Sequence, residues 1–295
     1  MKSWLSAMRL RTLPLALASI AMAGFLAASV KAFEPVVFFL ALLTAAGLQV
    51  LSNLANDYGD SIHGADGDHR IGPVRQIQVG AISKVQMVKA MWICTLITLS
   101  LGLALIMYSN INLSSLMIFL ALGIVALGAA VLYTNGSKPY GYMGLGDLAV
   151  FVFFGLLGVL GTYYLMTQKF EWMLLLPASA LGFFTVAVLN VNNIRDLESD
   201  KLAGKNSIPV RLGRAKAVWY HWFLLLGGIF CMIVFIRINY AGIKPWMFML
   251  ASPLLLINAF AVKNKKEAGE LDPYLKQMAI STLCFVLFFG IGILL

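Results

Sequence analysis

Long apolar runs alternate with short polar segments along the whole chain. Nine of these runs have about 17 to 25 residues, which is the helix length that crosses a hydrocarbon core about 30 Å thick. Apolar and polar positions do not alternate within them, which excludes the strands of a transmembrane barrel. The runs lie near residues 13–31, 36–56, 88–108, 114–134, 145–166, 172–192, 217–236, 245–262 and 276–295. The pattern predicts an all-α integral membrane protein, a bundle of about nine transmembrane helices that forms one domain over residues 1–295.

The composition agrees with a chain that lies in a lipid bilayer. Of the 295 residues, 60% are hydrophobic and 12% are charged, whereas a soluble domain has about 25% charged residues. The three cysteines are scattered through the apolar runs and lack the spacing of a disulfide framework or a zinc site. The basic residues are interleaved with the spans, so membrane topology explains the net charge of +9 and no nucleic-acid partner is predicted.

The charges predict an orientation. When the nine runs are threaded alternately through a membrane, 18 of the 22 Lys and Arg residues fall on the side of the N-terminus. The positive-inside rule therefore places the N-terminus in the cytoplasm and the chain, as a multi-pass protein, in the cell inner membrane. The same side carries 11 of the 13 acids and the longest loops, so we expect the active site at the cytoplasmic side.

A first polar motif ends the second apolar run. Asn53, Asn56, Asp57 and Asp60 stand at positions i, i+3, i+4 and i+7, which is one face if the helix continues through them. Asp66 follows in the loop. Polar side chains at the end of a span normally face a cavity, so they are candidates for function.

A second motif ends the sixth run and repeats this arrangement. Asn192, Asp196 and Asp200 stand at i, i+4 and i+8, with Asn193 and Arg195 among them. Closely packed carboxylates repel one another unless a positive charge lies between them. Donors that are all oxygen, with no His or Cys, suit Mg²⁺. The predicted metal ligands are Asn56, Asp57, Asp60, Asp66, Asp196 and Asp200.

Two other interpretations of the motifs stay open at this point. The acids could be solvated groups that pair with nearby Arg and Lys residues. They could also line the mouth of a transporter or ion pathway, but that function predicts acids in the middle of the spans. Only Asp147, near the start of the fifth run, comes close to such a position.

Basic residues in the same loops are candidates for binding a phosphorylated leaving group. Lys138 is the single basic residue of its loop, which begins at Tyr133. Arginine binds phosphate through two hydrogen bonds, and a fixed cation stabilises charge that develops on a leaving group. The candidates in the two long loops are Arg70, Arg75, Lys205 and Arg211. Membrane topology alone is the alternative explanation for each of them.

The two motifs resemble the signatures of the UbiA superfamily of intramembrane prenyltransferases. Asn56-Asp57-Tyr-Gly-Asp60 approximates NDxxDxxxD, except that the last Asp arrives two residues late as Asp66, and Asp196-Leu-Glu-Ser-Asp200 matches DxxxD. The longer first motif, together with Arg70-Ile-Gly-Pro-Val-Arg75 and Gly144-Leu-Gly-Asp147, is similar to the 1,4-dihydroxy-2-naphthoate polyprenyltransferases.

This resemblance implies a reaction. A polyprenyl chain would pass from polyprenyl diphosphate to 1,4-dihydroxy-2-naphthoate, with loss of CO2 and diphosphate, to give a demethylmenaquinone for menaquinone biosynthesis. The alternative is another aromatic acceptor, such as 4-hydroxybenzoate or homogentisate. No local motif specifies the length of the prenyl chain or the oligomeric state.

The resemblance and the motif chemistry together assign roles. The residues expected to act in catalysis are Asp57, Asp60, Lys138, Asp196 and Asp200. Those expected to bind substrate are Asn53, Asn56, Arg70, Arg75, Tyr133, Lys138, Asn192, Asn193, Arg195, Lys205 and Arg211.

Overall fold

The computed structural model describes residues 2–63 and 75–295, and every regular element in those two ranges is a helix. The all-α prediction is therefore confirmed. In chain order the helices are α1 (Lys2–Met8), α2 (Leu13–Ser29), α3 (Pro35–Ile62), α4 (Lys84–Tyr108), α5 (Leu113–Leu132), α6 (Gly146–Thr167), α7 (Trp172–Arg195), α8 (Leu197–Leu202), α9 (Ile208–Leu212), α10 (Arg214–Asn239), α11 (Lys244–Asn264) and α12 (Ala268–Leu294).

Eight helices of the described ranges are long and apolar enough to cross a membrane. The first predicted span differs from the others because α2 has only 17 residues and bends by 52° from α1. Arg9 causes the break, since its backbone is left-handed, with φ at 46°, and a single 3₁₀ turn over Leu10–Thr12 follows it. If α1 and α2 count as one bent span, the described residues contain up to nine spans, which is the number expected.

Local sequence signals set where several helices begin. A reciprocal capping box opens α4, in which the Ser83 side chain accepts a hydrogen bond from the Gln86 backbone and the Gln86 side chain accepts one from the Ser83 backbone. The side chain of Asn112 caps α5 through a single hydrogen bond, which it accepts from the Ser115 N–H. Pro35 occupies the first turn of α3, where its missing N–H has no cost.

Helix α7 lies at the centre of the bundle and is the most buried of the candidate spans. It packs against α6, α10 and α12. Small residues allow the close approach to α6: a Cβ atom added at Gly155 would lie 2.7 Å from the Cα atom of Gly182. Phe184 is fully buried and packs edge-to-face on Phe285. The second motif is thus carried by a helix that is held firmly on three sides.

Candidate active site

A cavity of about 800 Å³ lies between α2, α3, α5, α6 and α7 and contains both motifs. Its deeper wall is apolar, with Leu15, Phe119, Phe153 and Leu157 among the lining residues. Its polar end brings together most of the residues that the sequence singled out. Those that line it are Asn53, Asn56, Asp57, Asp60, Arg75, Tyr133, Asn192, Asn193, Arg195, Asp196, Asp200 and Lys205.

Lys205 joins the two motifs into one site. Its Nζ atom lies 3.2 Å from Oδ1 of Asp60 and 3.5 Å from Oδ1 of Asp200. The same ammonium lies 4.8 Å from the ring centre of Tyr142, within the range of a cation–π contact. The Tyr142 hydroxyl donates a 2.6 Å hydrogen bond to Asp60. A carboxylate from each motif therefore faces the same cation.

Two arginines hold the carboxylates of the first motif. Arg9 donates to Oδ1 of Asp57, and Arg75 forms an ion pair with Asp60 and lies 3.6 Å from Asp57. Arg75 also donates a 2.7 Å hydrogen bond to the backbone oxygen of Asn56. Both carboxylates are almost completely buried, so these pairs provide the positive charge that burial requires.

The side chains of Asn53 and Asn56 make hydrogen bonds that hold the structure of the site. Asn53 donates to the Met8 backbone oxygen at 2.9 Å and to the Thr12 hydroxyl at 3.0 Å. It therefore secures the bend between α1 and α2. The side-chain oxygen of Asn56 accepts a 3.1 Å hydrogen bond from Thr134, and one of its two lone pairs is left for another partner. Both residues line the cavity, and their substrate and metal roles stay predictions.

The second motif is built around Arg195. Its guanidinium donates two hydrogen bonds to Asp196, at 2.8 and 2.7 Å, one to Asp272 at 2.6 Å and one to the Asn192 oxygen at 2.9 Å. Four of its five N–H groups are thereby used. Arg195 is also buried. This arrangement fixes Asp196 and favours a positioning role for Arg195 over direct contact with a substrate carboxylate.

The ion pairs of the site agree with one alternative that the sequence left open, in which the acids of the motifs pair with nearby Arg and Lys residues. In the described ranges no three Asp, Glu, His or Cys side chains are close enough to form a ready-made metal site. The acids of the motifs pair instead with Arg9, Arg75, Arg195 and Lys205. The donor chemistry still fits Mg²⁺, because all donors are hard oxygens and this ion needs only one or two protein carboxylates beside substrate phosphates and water.

Burial changes the acidity of several groups at the polar end. It raises the pKa of Asp200 to about 6; the charges of Asp196 and Asp60 add to this effect and Lys205 opposes it. Burial also raises the pKa of Tyr142, and the carboxylate of Asp60 strengthens that shift. The Tyr142 hydroxyl therefore stays protonated and remains a hydrogen-bond donor.

Two of the residues expected in the site are not among the described residues, and two others lie outside the cavity. Arg70 and Asp66 lie outside the described residues. The Lys138 side chain is exposed and does not line the cavity, so its role in catalysis stays a prediction without a supporting contact. Arg211 is exposed as well and donates to the backbone oxygen of Met143, where it holds the loop before α6.

Two residues of the site were missed. These are Arg9 and Tyr142, and neither is among the predicted site residues. Neither could be found from spacing, since 48 residues separate Arg9 from Asp57 and 82 separate Tyr142 from Asp60. An Arg that directly precedes an apolar run is explained by topology just as well.

The chain is similar to one protein family and to relatives that share one name. The model of the UbiA prenyltransferase family matches residues 17–283. The 1,4-dihydroxy-2-naphthoate octaprenyltransferase of Escherichia coli K12 is 42% identical over 294 residues, which covers 100% of this chain and 96% of that protein. The enzyme of the same name from Mycobacterium tuberculosis is 36% identical over 288 residues, which covers 96% of this chain and 94% of that protein.

Solved structures share the fold at low identity. A UbiA homologue from Archaeoglobus fulgidus, bound to DMAPP and Mg²⁺, has a TM-score of 0.65 at 17% identity, and 99% of each chain is covered. The apo structure of a UbiA homologue from Aeropyrum pernix has a TM-score of 0.69 at 16% identity, with 97% of this chain and 98% of that chain covered.

Proposed function

Because this chain belongs to the UbiA prenyltransferase family, we propose that it transfers a polyprenyl chain from polyprenyl diphosphate to 1,4-dihydroxy-2-naphthoate. The products are a demethylmenaquinol, which is the reduced form of a demethylmenaquinone, together with diphosphate and CO2. Relatives of nearly equal length carry the name of this activity at 42% and 45% identity. The proposed location is the inner membrane, with the polar end of the cavity facing the cytoplasm.

One contact carries the proposal for the site: the ammonium of Lys205 between Asp60 and Asp200. It brings both acidic motifs to one end of a cavity whose deeper wall is apolar. A diphosphate with a long hydrocarbon tail has the same division into a charged head and an apolar chain. The head would lie beside Lys205 and Arg75, and the tail would lie along Phe119, Phe153 and Leu157.

The oxygen donors of the motifs fit Mg²⁺, which when bound would neutralise charge on the diphosphate oxygens. The proposed ligands are drawn from Asp57, Asp60, Asp196 and Asp200, with Asn56 beside them. The homologue from Archaeoglobus fulgidus was solved with Mg²⁺ and DMAPP, which supports this assignment by fold.

The side chains of the chain itself have three tasks. Lys205 and Arg75 stabilise negative charge as the bond between the prenyl carbon and the diphosphate oxygen breaks. Arg9 and Arg195 hold Asp57 and Asp196 in place. The apolar wall excludes water, which would otherwise capture the allylic carbon in place of the naphthoate ring.

The test is prenyl transfer by the purified protein in detergent. With farnesyl diphosphate and 1,4-dihydroxy-2-naphthoate, we expect a product whose mass equals that of both reactants less CO2 and diphosphate. We expect excess EDTA to abolish its formation and added Mg²⁺ to restore it. Parallel reactions with 4-hydroxybenzoate and homogentisate test the alternative acceptors. A prenylated product from either of these, and none from the naphthoate, would contradict the proposal.

A further inference from the structure

Asp147 is an acid of the cavity wall that the diphosphate end does not use. It is the second residue of α6, borders the same cavity as the motifs and is only partly exposed. Its Oδ2 atom accepts a 2.9 Å hydrogen bond from the Tyr220 hydroxyl on α10. The segment Gly144-Leu-Gly-Asp147 is part of the family resemblance in the sequence, but the mechanism above assigns it no role.

Its surroundings differ from those of the other cavity acids. Within the described residues, four acids of the two motifs each have an Arg or Lys side chain within 4.0 Å, namely Asp57, Asp60, Asp196 and Asp200. In the part of the chain that the structure describes, no basic side chain pairs with Asp147, and the phenol of Tyr220 is its side-chain partner. A carboxylate without a cation repels diphosphate, so this part of the wall suits a ligand group that donates a hydrogen bond.

The wall beside Asp147 is aromatic. A Cβ atom added at Gly146 would lie 2.7 Å from the Tyr133 hydroxyl, so Tyr133 packs directly against the residue before Asp147. Tyr133 packs edge-to-face on Tyr140, with ring centres 5.3 Å apart, and both border the cavity. Aromatic side chains favour a flat aromatic ligand. A hydroxylated ring placed here would have its O–H beside a carboxylate.

We infer that Asp147 binds a ring hydroxyl of the aromatic acceptor and takes its proton during prenyl transfer. This inference rests on the proposed function. As the ring carbon that carries the carboxylate forms its bond to the prenyl carbon, the O–H bond of the neighbouring hydroxyl breaks, the proton moves to Asp147, and the oxygen becomes a carbonyl. The electron pair of the prenyl carbon–oxygen bond leaves with diphosphate.

Decarboxylation then restores Asp147. The electron pair of the bond to the carboxylate returns to the ring as CO2 leaves, and the carbonyl oxygen takes back the proton from Asp147. Atoms and charge balance without a further reactant. Tyr220 is a positioning residue in this scheme, because its hydrogen bond orients the carboxylate of Asp147.

The test combines Asp147→Asn with acceptors in which one hydroxyl is blocked. We expect the variant to lower kcat about 100-fold with 1,4-dihydroxy-2-naphthoate, which is the usual size of the effect when a positioned base is removed. The affinity for farnesyl diphosphate, measured by calorimetry, should change less than twofold. With the 1-methyl ether of the acceptor, in which the hydroxyl beside the carboxylate is blocked, the variant and the native chain should have equal rates, because the hydroxyl that Asp147 binds is then absent. With the 4-methyl ether, the loss in the variant should remain.

Glu171→Gln is the matched control, since it neutralises an exposed acid that lies outside the cavity, and its rates should equal those of the native chain with every acceptor. If Asp147→Asn does not bind farnesyl diphosphate, the same comparison is made with Tyr220→Phe, for which we expect about a fivefold loss with the dihydroxy acceptor and the 4-methyl ether but not with the 1-methyl ether. An equal loss on all three acceptors would overturn the inference. Failure of the proposed function is separate, because the native chain would then give no naphthoate product at all.

Discussion

Nζ of Lys205 lies 3.2 Å from Oδ1 of Asp60, and this contact connects the loop after α8 to the last turn of α3. The Asp60 carboxylate is 2% exposed, whereas the Lys205 side chain is 17% exposed. The acid is therefore fixed in the bundle, and the lysine reaches it from the rim of the cavity. The second motif and its loop complete a site whose other half is built into α3.

Replacing Lys205 with Met should remove the cation that the two motifs share. We expect kcat/KM for farnesyl diphosphate to fall about 100-fold, the usual loss when one electrostatic partner of a leaving group is removed. Initial rates of product formation at saturating naphthoate give the measurement. Lys201→Met is the control, since that side chain is exposed and does not line the cavity. Equal rates for the two variants would argue against a role for Lys205 at the diphosphate.

Arg9→Gln should lower the stability of the protein as well as the rate of prenyl transfer. The variant leaves the buried Asp57 with one cation instead of two, and the loss of a charged hydrogen bond of this kind costs about 2 kcal/mol. Thermal unfolding in detergent should show a clearly lower Tm. Lys2→Gln removes an exposed charge from the same N-terminal segment and should leave the Tm unchanged. A Tm for Arg9→Gln equal to that of the control would show that Arg9 does not support the first motif.

The sequence allows the spans and the two motifs to be predicted, because both depend on properties that are local in the chain. A run of about 20 apolar residues has the length of a helix that crosses a bilayer. Polar residues at i, i+3, i+4 and i+7 share a face in any helix. The break before α2 was not predicted, since it depends on the left-handed backbone of Arg9.

The partners of the acids could not be predicted, because tertiary packing selects them. Lys138 appeared significant since it is alone in its loop, but the loop turns its side chain outward. Tyr142, four residues later, reaches Asp60 from the same loop. A prediction from the sequence can select such a loop, but the direction of each side chain depends on how the loop packs on α3.

A glycine of α3 sets how closely that loop packs. A Cβ atom added at Gly59 would lie 2.4 Å from the backbone oxygen of Thr134. Backbone atoms cannot yield as a flexible side chain can, so Gly59→Ala should destabilise the protein by about 1–3 kcal/mol and lower activity through the neighbouring Asp60. Gly128→Ala on α5 is the matched control, because nothing lies within 4 Å of the added carbon. That variant should be as stable as the native chain or slightly more stable, since Ala favours a helix. Equal Tm values for the two variants would contradict the packing described here.

The raised pKa of Asp200 predicts that metal affinity depends on pH. Burial, together with the charges of Asp196 and Asp60, raises this pKa to about 6, from about 3.9 in an unfolded chain. The carboxyl group is therefore protonated below about pH 6 in the metal-free protein, and a proton must leave before the group can bind a cation. The dissociation constant for Mn²⁺, a paramagnetic substitute for Mg²⁺, should be constant above that pH and rise about tenfold for each unit below it. Electron paramagnetic resonance of the free ion measures this constant. Asp200→Asn should bind Mn²⁺ more weakly at every pH and lose the dependence near pH 6, so an unchanged pH dependence in that variant would exclude Asp200 as the titrating group.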